Sequence, residues 1–303
     1  MEKFTGLIGI FTLLGIAVLL SNNRKKINLR TVFSGLALQF ILAFFILGTS
    51  LGEPVFRALD NAITTLVSFS DAGSTFLFRS YISDTYHPSL ENFAFRTLPT
   101  IIFFSSLISV LYHFGIIQKI VKMFAKIFQK TMFISGTESL SVSGNIFLGQ
   151  TEAPLMVKPF VDKMTKSELM ALMTGGFATA AGGILAIYVS WLSDIPGIAG
   201  HLLTASVMSA PAALVMAKII YPEVEKSNTM GDLNIEIEQT TTNAMEALGN
   251  GATTGLKLAA NIAAMLIAFL SFVAMINYLL LFLGTSMEAI FGFLFKIDID
   301  LFA

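Results

Sequence analysis

Within the stretch SGNIFLGQTEAPLMVKPF, Ser143 to Phe160, three polar side chains stand two to four residues before Pro154: the amide of Gln150, the hydroxyl of Thr151 and the carboxylate of Glu152. A carboxylate accepts two hydroxyl hydrogen bonds at once, which suits a sugar diol. Gln150 both donates and accepts, which suits a base edge or another amide-like group. An ionisable residue in apolar, membrane-like sequence is by default a functional-site hypothesis, and a helix N-terminus beside Glu152 helps keep it charged. Two other roles stay open for Glu152: an interfacial pair with Lys158, or a cap on the helix that follows.

A second cluster surrounds Thr179 in TGGFATAAGGILAIY, Thr174 to Tyr188, which holds Gly175, Gly176, Gly182 and Gly183. Small residues permit close helix packing. They also permit local unwinding that frees carbonyls for a cation. By themselves the glycines favour packing. Catalytic patterns are missing: the sequence holds no H-E-x-x-H, G-x-S-x-G or Walker A loop, and no cysteine. Glu152 has no carboxylate partner for acid–base work. Asp194 and His201 flank a short loop and read as solvated. His87, His113 and His201 are too far apart in sequence for a histidine metal site. No catalytic residue is expected, and the chain reads as a non-enzyme.

The elements that carry these residues belong to a membrane. Of 303 residues, 54% are hydrophobic and 13% are charged, against about 25% charged in soluble domains, and the mean hydropathy is +0.75. The net charge of −1 gives no reason to expect nucleic acid. Six runs free of Asp, Glu, Lys and Arg approach the roughly 20 residues a bilayer requires: Phe4–Leu20, Val32–Leu51, Thr97–Gln118, Leu169–Leu192, Ile198–Ala217 and Leu258–Met287. The first is not a signal peptide, because its basic cluster, Arg24 to Arg30, follows it. The same cluster assigns that loop to the cytoplasm. Residues 52–92, with five acids and two arginines, fall outside, with Glu53–Phe69 as a possible outer interfacial helix. Lys119, Lys122, Lys126 and Lys130 share one helical face, with Ile120, Phe124 and Ile127 opposite, so an interfacial amphipathic helix is expected there. The last run predicts a tilted or protruding helix of about 45 Å. Pro222–Asn243 reads as a flexible cytoplasmic loop.

Ser139–Leu148 and Ala153–Phe160 are apolar segments too short to span. Lys130 precedes them and Lys158, Lys163 and Lys166 follow. Both flanks then lie on the cytoplasmic side, and the segment between enters and returns as a re-entrant hairpin. Non-helical backbone at that depth must be buried in protein or line a wet cavity, so the tip, Gly149 to Glu152, faces a cavity. Pro154 fits the first turn of the returning half. The expected fold is all-α and polytopic: about six spans, a re-entrant helical hairpin and interfacial amphipathic helices. Its segments are 1–92 (N-terminal helices and outer segment), 93–130 (third span and basic helix), 131–221 (hairpin and binding region) and 222–303 (loop and long helix).

These stretches, with ASVMSAPAALVMAKIIYPE and NAMEALGNGATTGLKLAANIAAMLIAF, resemble the concentrative nucleoside transporter family over essentially the whole chain. G-Q-T-E-A-P is a highly specific match to its sodium-coupled branch. The resemblance implies sodium-coupled symport of nucleosides such as uridine by alternating access, in a homotrimer in the bacterial cytoplasmic membrane, with no organic cofactor. It implies that Gln150 and Thr151 contact the base directly or through water, that Glu152 binds ribose hydroxyls, and that Ile184 lines the base pocket. It assigns sodium to the side chains of Asn145 and Thr179 and the carbonyls of Leu148 and Ala180. Thr179 stands where a bacterial relative has serine and keeps the hydroxyl; Gly183 also replaces a serine, one source of altered base preference. The family's second hairpin, with its N-E-F-type motif, has no counterpart before the chain ends at FKIDIDLFA, which reads as a C-terminal truncation. The other reading is a non-transporting gate or assembly module sharing the nucleoside-recognition region.

Overall fold

The computed structural model describes residues 2–49, 52–79, 93–150, 153–230 and 241–295. Thr151, Glu152 and the tract 231–240 lie outside these, as does the outer segment 80–92. The described residues are helix, turn and connecting chain. Their α-helices are α1 Glu2–Leu19, α2 Leu29–Gly48, α3 Gly52–Phe78, α4 Leu98–His113, α5 Ile116–Met132, α6 Gly136–Asn145, α7 Lys166–Ala178, α8 Gly182–Trp191, α9 Ile198–Ile220 and α10 Ala244–Phe295. A 3₁₀ segment, Ala153–Lys163, follows α6.

Four stretches among the described residues are long and apolar enough to cross a bilayer, and α4 with α5 makes a fifth if that bent pair counts as one span. The apolar part of α1, Ile8–Leu19, is shorter. The run Thr97–Gln118 does not stay one helix. It ends at His113, Gly115 takes the left-handed region at φ 73°, and α5 leaves at 79° to α4. A side chain is strained there, and glycine is not. The basic helix therefore starts three residues earlier than expected. Its lysines are exposed as predicted, but its buried stripe is Ile117, Val121, Ala125, Phe128 and Met132. Ile127 faces outward, because the protein-facing side is rotated from the diametric opposite of the lysines.

α3 also differs from expectation. It runs 27 residues, about 40 Å, and packs against α2, α4, α8 and α9 rather than only lying at the outer interface. One of its acids is committed to the protein: Asp60 Oδ1 accepts the backbone N–H of Gly200 at 2.9 Å and so satisfies an orphan donor in the first turn of α9.

The centre is α9. It touches α1, α2, α3, α6, α7 and α8, and its small buried residues, among them Ala210, Ala213 and Ala217, allow those neighbours close approach. The main apolar cluster joins Leu214 and Val215 to Ala17, Val32, Phe128 and Ile146. By contact the chain divides into two units, Met1–Leu256 and Lys257–Ala303. The second carries exposed apolar side chains from Leu258 to Leu283, suited to lipid. The helix entering it has 52 residues, about 78 Å, well beyond the 45 Å expected from the apolar run alone. Within the first unit, Gly255 lies on α4: a Cβ there would sit 2.7 Å from Ile102 Cα. Gly249 has nothing within 4 Å. Gly255→Ala is therefore expected to destabilise by about 1–3 kcal/mol through overpacking, while Gly249→Ala gains up to about 1 kcal/mol of helix propensity. Detergent-based unfolding titrations of the two variants check this contrast.

Candidate functional site

α6 and α7 lie side by side and point the same way. Each begins with a capping box. Ser135 Oγ accepts the N–H of Glu138 at 3.3 Å while Glu138 Oε2 accepts that of Ser135 at 3.0 Å. Thr165 and Glu168 repeat the pattern at 3.1 and 2.8 Å. The two starts are joined where Thr137 donates to Glu168 Oε1 at 3.0 Å. Further along, a Cβ on Gly175 would stand 2.8 Å from Val142 Cγ2 and 3.6 Å from Asn145 Nδ2. The glycine therefore admits α6, as the packing reading required.

The C-terminal ends of α6 and α7 consequently meet, and each presents the partial negative charge of a helix C-terminus. Asn145, the last residue of α6, is buried. Its Nδ2 donates to Ser141 O at 3.3 Å, which leaves Oδ1 buried without a hydrogen-bond partner among the described residues. Leu148 is buried just beyond. Opposite, the helix breaks: Thr179 is extended at φ −116°, ψ 147° and Ala181 at φ −58°, ψ 150°. Thr179 Oγ1 donates to Gly175 O at 2.9 Å, so Thr179 and Asn145 border the same glycine. Ala180 lies in the break. The expected single helix Leu169–Leu192 is thus two, and the glycines serve both packing and unwinding. One bond ties hairpin to break: Gly182 N–H donates to Phe147 O at 3.1 Å. Amide, hydroxyl and carbonyl oxygens at two helix C-termini are a donor set suited to a hard monovalent cation.

The remaining expected residues surround this point. Gln150 is exposed in the turn after α6, and its Cβ would be 3.2 Å from a Cβ on Gly176. Ile184 is half-buried in the first turn of α8. Ala153 returns against Gly144, whose Cβ would meet it at 3.3 Å, so the chain does double back as a hairpin. Pro154 is second in the returning segment, which is 3₁₀ rather than α. The 590 Å³ cavity between α3 and the α8–α9 loop, lined by Asp60, Asp71, Thr97 and Trp191 among others, contains none of the predicted residues.

The polar cluster at the other end of α6 and α7 was missed by the sequence reading. Lys218, whose side chain is 7% exposed, ion-pairs with Glu138, 1% exposed, and donates to Ser167 Oγ at 2.8 Å. Glu168 Oε1 also accepts from Ser227 at 2.6 Å. Gly136 N–H donates to Thr229 O at 2.9 Å. Residues 222–230 are therefore pinned to the base of the hairpin, contrary to the flexible loop expected there. The patterns S-G-T-E and T-K-S-E ahead of apolar runs were the available signal.

Comparison with known proteins covers nearly the whole chain. Three family models match: Na⁺-dependent nucleoside transporter N-terminus over residues 8–81, a gate described as nucleoside recognition over 94–194, and Na⁺-dependent nucleoside transporter C-terminus over 201–297. An uncharacterized transporter of Haemophilus influenzae is 40% identical across 98% of this chain and 71% of its own. Mouse sodium/nucleoside cotransporter 1 is 40% identical across 95% of this chain. The chain spans 43% of that relative's length. Among solved structures, CNTnw in an inward-facing substrate-bound state superposes with a TM-score of 0.83 at 36% identity, covering 97% of this chain and 71% of that one. A doubly substituted CNTnw in an outward-facing state gives 0.84 at 37%, covering 95% and 70%.

Proposed function

Because the chain belongs to the Na⁺-dependent nucleoside transporter family, we propose that it takes up nucleosides by sodium-coupled symport across the bacterial cytoplasmic membrane. The observation that carries this reading is the convergence of two helix C-termini on the buried Oδ1 of Asn145, which has no hydrogen-bond partner among the described residues, beside the broken helix at Thr179. Sodium is held by the side chains of Asn145 and Thr179 and the carbonyls of Leu148 and Ala180. The nucleoside is held by Gln150, Thr151 and Glu152 on the hairpin and by Ile184 on α8. Because Gly182 N–H bonds the hairpin at Phe147 O, filling the cation site rigidifies the junction from which both substrate-binding segments leave. That supplies coupling: the ion organises the surface the nucleoside needs. The solution of CNTnw in inward- and outward-facing states supports alternating access as the transport step. The working unit is a homotrimeric carrier rather than an enzyme, with 131–221 as its binding region and no organic cofactor.

The test is Thr179→Val. Valine keeps the shape and removes one oxygen ligand. The sodium concentration for half-maximal uptake of labelled uridine is expected to rise at least fivefold at constant ionic strength, with Thr179→Ser near the parent value. Unchanged sodium dependence removes Thr179 from the site. Uptake driven equally well by a proton gradient without sodium removes sodium coupling.

A further inference from the structure

Helix α5 has three faces. Ile117, Val121, Ala125 and Phe128 are buried against the protein. Ile116, Met123 and Ile127 are exposed, and at 3.6 residues per turn they fall within an arc of about 40°. Lys119, Lys122, Lys126 and Lys130 are exposed in the adjoining arc of about 80°. The helix contains no acid, and among the described residues none of the four lysines forms an ion pair. Beyond its C-terminus the Arg30 guanidinium lies 3.7 Å from the centroid of the Phe133 ring. This brings another exposed cation to the end of the lysine row.

We propose that this lysine face, with Arg30, is a docking surface for the phosphodiester headgroups of anionic phospholipids. Charge complementarity names the occupant, and the neighbouring apolar arc sets its depth. A helix facing only water gains nothing from exposing Ile116, Met123 and Ile127 side by side. A helix at the headgroup boundary buries them in the acyl layer while lysine stems carry their charges to the phosphates. The 79° turn from α4 lays α5 across the direction of that helix, as the boundary requires. Each basic residue near an anionic surface adds binding in a salt-dependent way. α5 also packs on α6, so the bound headgroups hold the helix against which the hairpin rests.

The experiment reconstitutes the protein in phosphatidylcholine vesicles containing trace spin-labelled phosphatidylglycerol or phosphatidylcholine. Electron paramagnetic resonance then measures the protein-bound fraction of each. The parent is expected to prefer phosphatidylglycerol at least threefold at low salt, and less than half as much in 0.5 M salt. Changing Lys119, Lys122, Lys126 and Lys130 together to Gln should bring the preference below 1.5-fold. The four Lys→Arg changes should retain it. The proposal is overturned if the parent shows no preference, which leaves the face to solvent or an acidic protein, or if the Gln variant keeps the parent's preference. Should the Gln variant not fold, the salt response of the parent decides: a salt-insensitive preference overturns the proposal.

Discussion

Lys218→Met is expected to lower stability by about 3–5 kcal/mol, because it strands the carboxylate of Glu138 in the interior. Methionine keeps the length and apolar stem of lysine, so packing around α9 changes little. What is lost is the charge facing Glu138 and, at 3.5 Å, Glu223, and the donor to Ser167 Oγ. The change also removes the ionic link between α9 and the start of α6, while Ser167 still donates to Tyr221 O at the end of α9. Unfolding in detergent, followed by the fluorescence of Trp191, gives the measurement. The double variant Lys218→Met/Glu138→Gln should recover part of the loss, since a neutral amide is cheaper to bury than an unpaired carboxylate. A Lys218→Met protein within 0.5 kcal/mol of the parent would show that the pair is not a structural tie. A double variant no better than the single one would place the loss in the contacts with Ser167 and Glu223.

Glu152→Gln is expected to reduce labelled uridine uptake at least tenfold at matched expression, equivalent to about 1.4 kcal/mol. The substitution preserves shape and removes the charge, and charge-assisted hydrogen bonds are roughly twice as strong as neutral ones. The sodium dependence should shift far less than in Thr179→Val, since the proposed ion ligands are untouched. Uptake equal to that of the parent would rule out Glu152 as the ribose ligand and return it to capping or to a pair with Lys158.

The hairpin was readable before the structure because its parts contradict any other arrangement. Two short apolar segments, lysines on both flanks and Pro154 at the start of the second cannot make a span. The break at Thr179 was not decidable from residue types. Gly175 and Gly176 pack against Val142 and Gln150, which is the role small residues ordinarily have, and the same glycines border the unwound turn. Lys218 escaped notice because it stands one residue past an apolar run that ends at Ala217. Glu138 and Glu168 were hidden by their neighbours, since each lies in a polar tetrapeptide that reads like a loop. The length of α3 was underestimated for the reverse reason. Asp60 and Arg57 suggested water, yet Asp60 is committed to the backbone of α9. Periodicity finds faces; it does not say which charge has a partner 140 residues away.

The central place of α9 has a consequence for biogenesis. Lys218 is synthesised about 80 residues after Glu138, on the order of 4–16 s later at ordinary elongation rates. Throughout that interval the hairpin helix exists without the cation that neutralises its base, and α2 without one of the helices it packs on. α1 and α2 can wait, since lipid solvates their exposed apolar surfaces. The hairpin cannot settle at depth with Glu138 charged and unpaired. It is expected to stay at the cytoplasmic surface of the nascent protein and to seat only once α9 has been inserted. The hairpin is thereby expected to become resistant to protease only after α9 is made, although it is itself made well before.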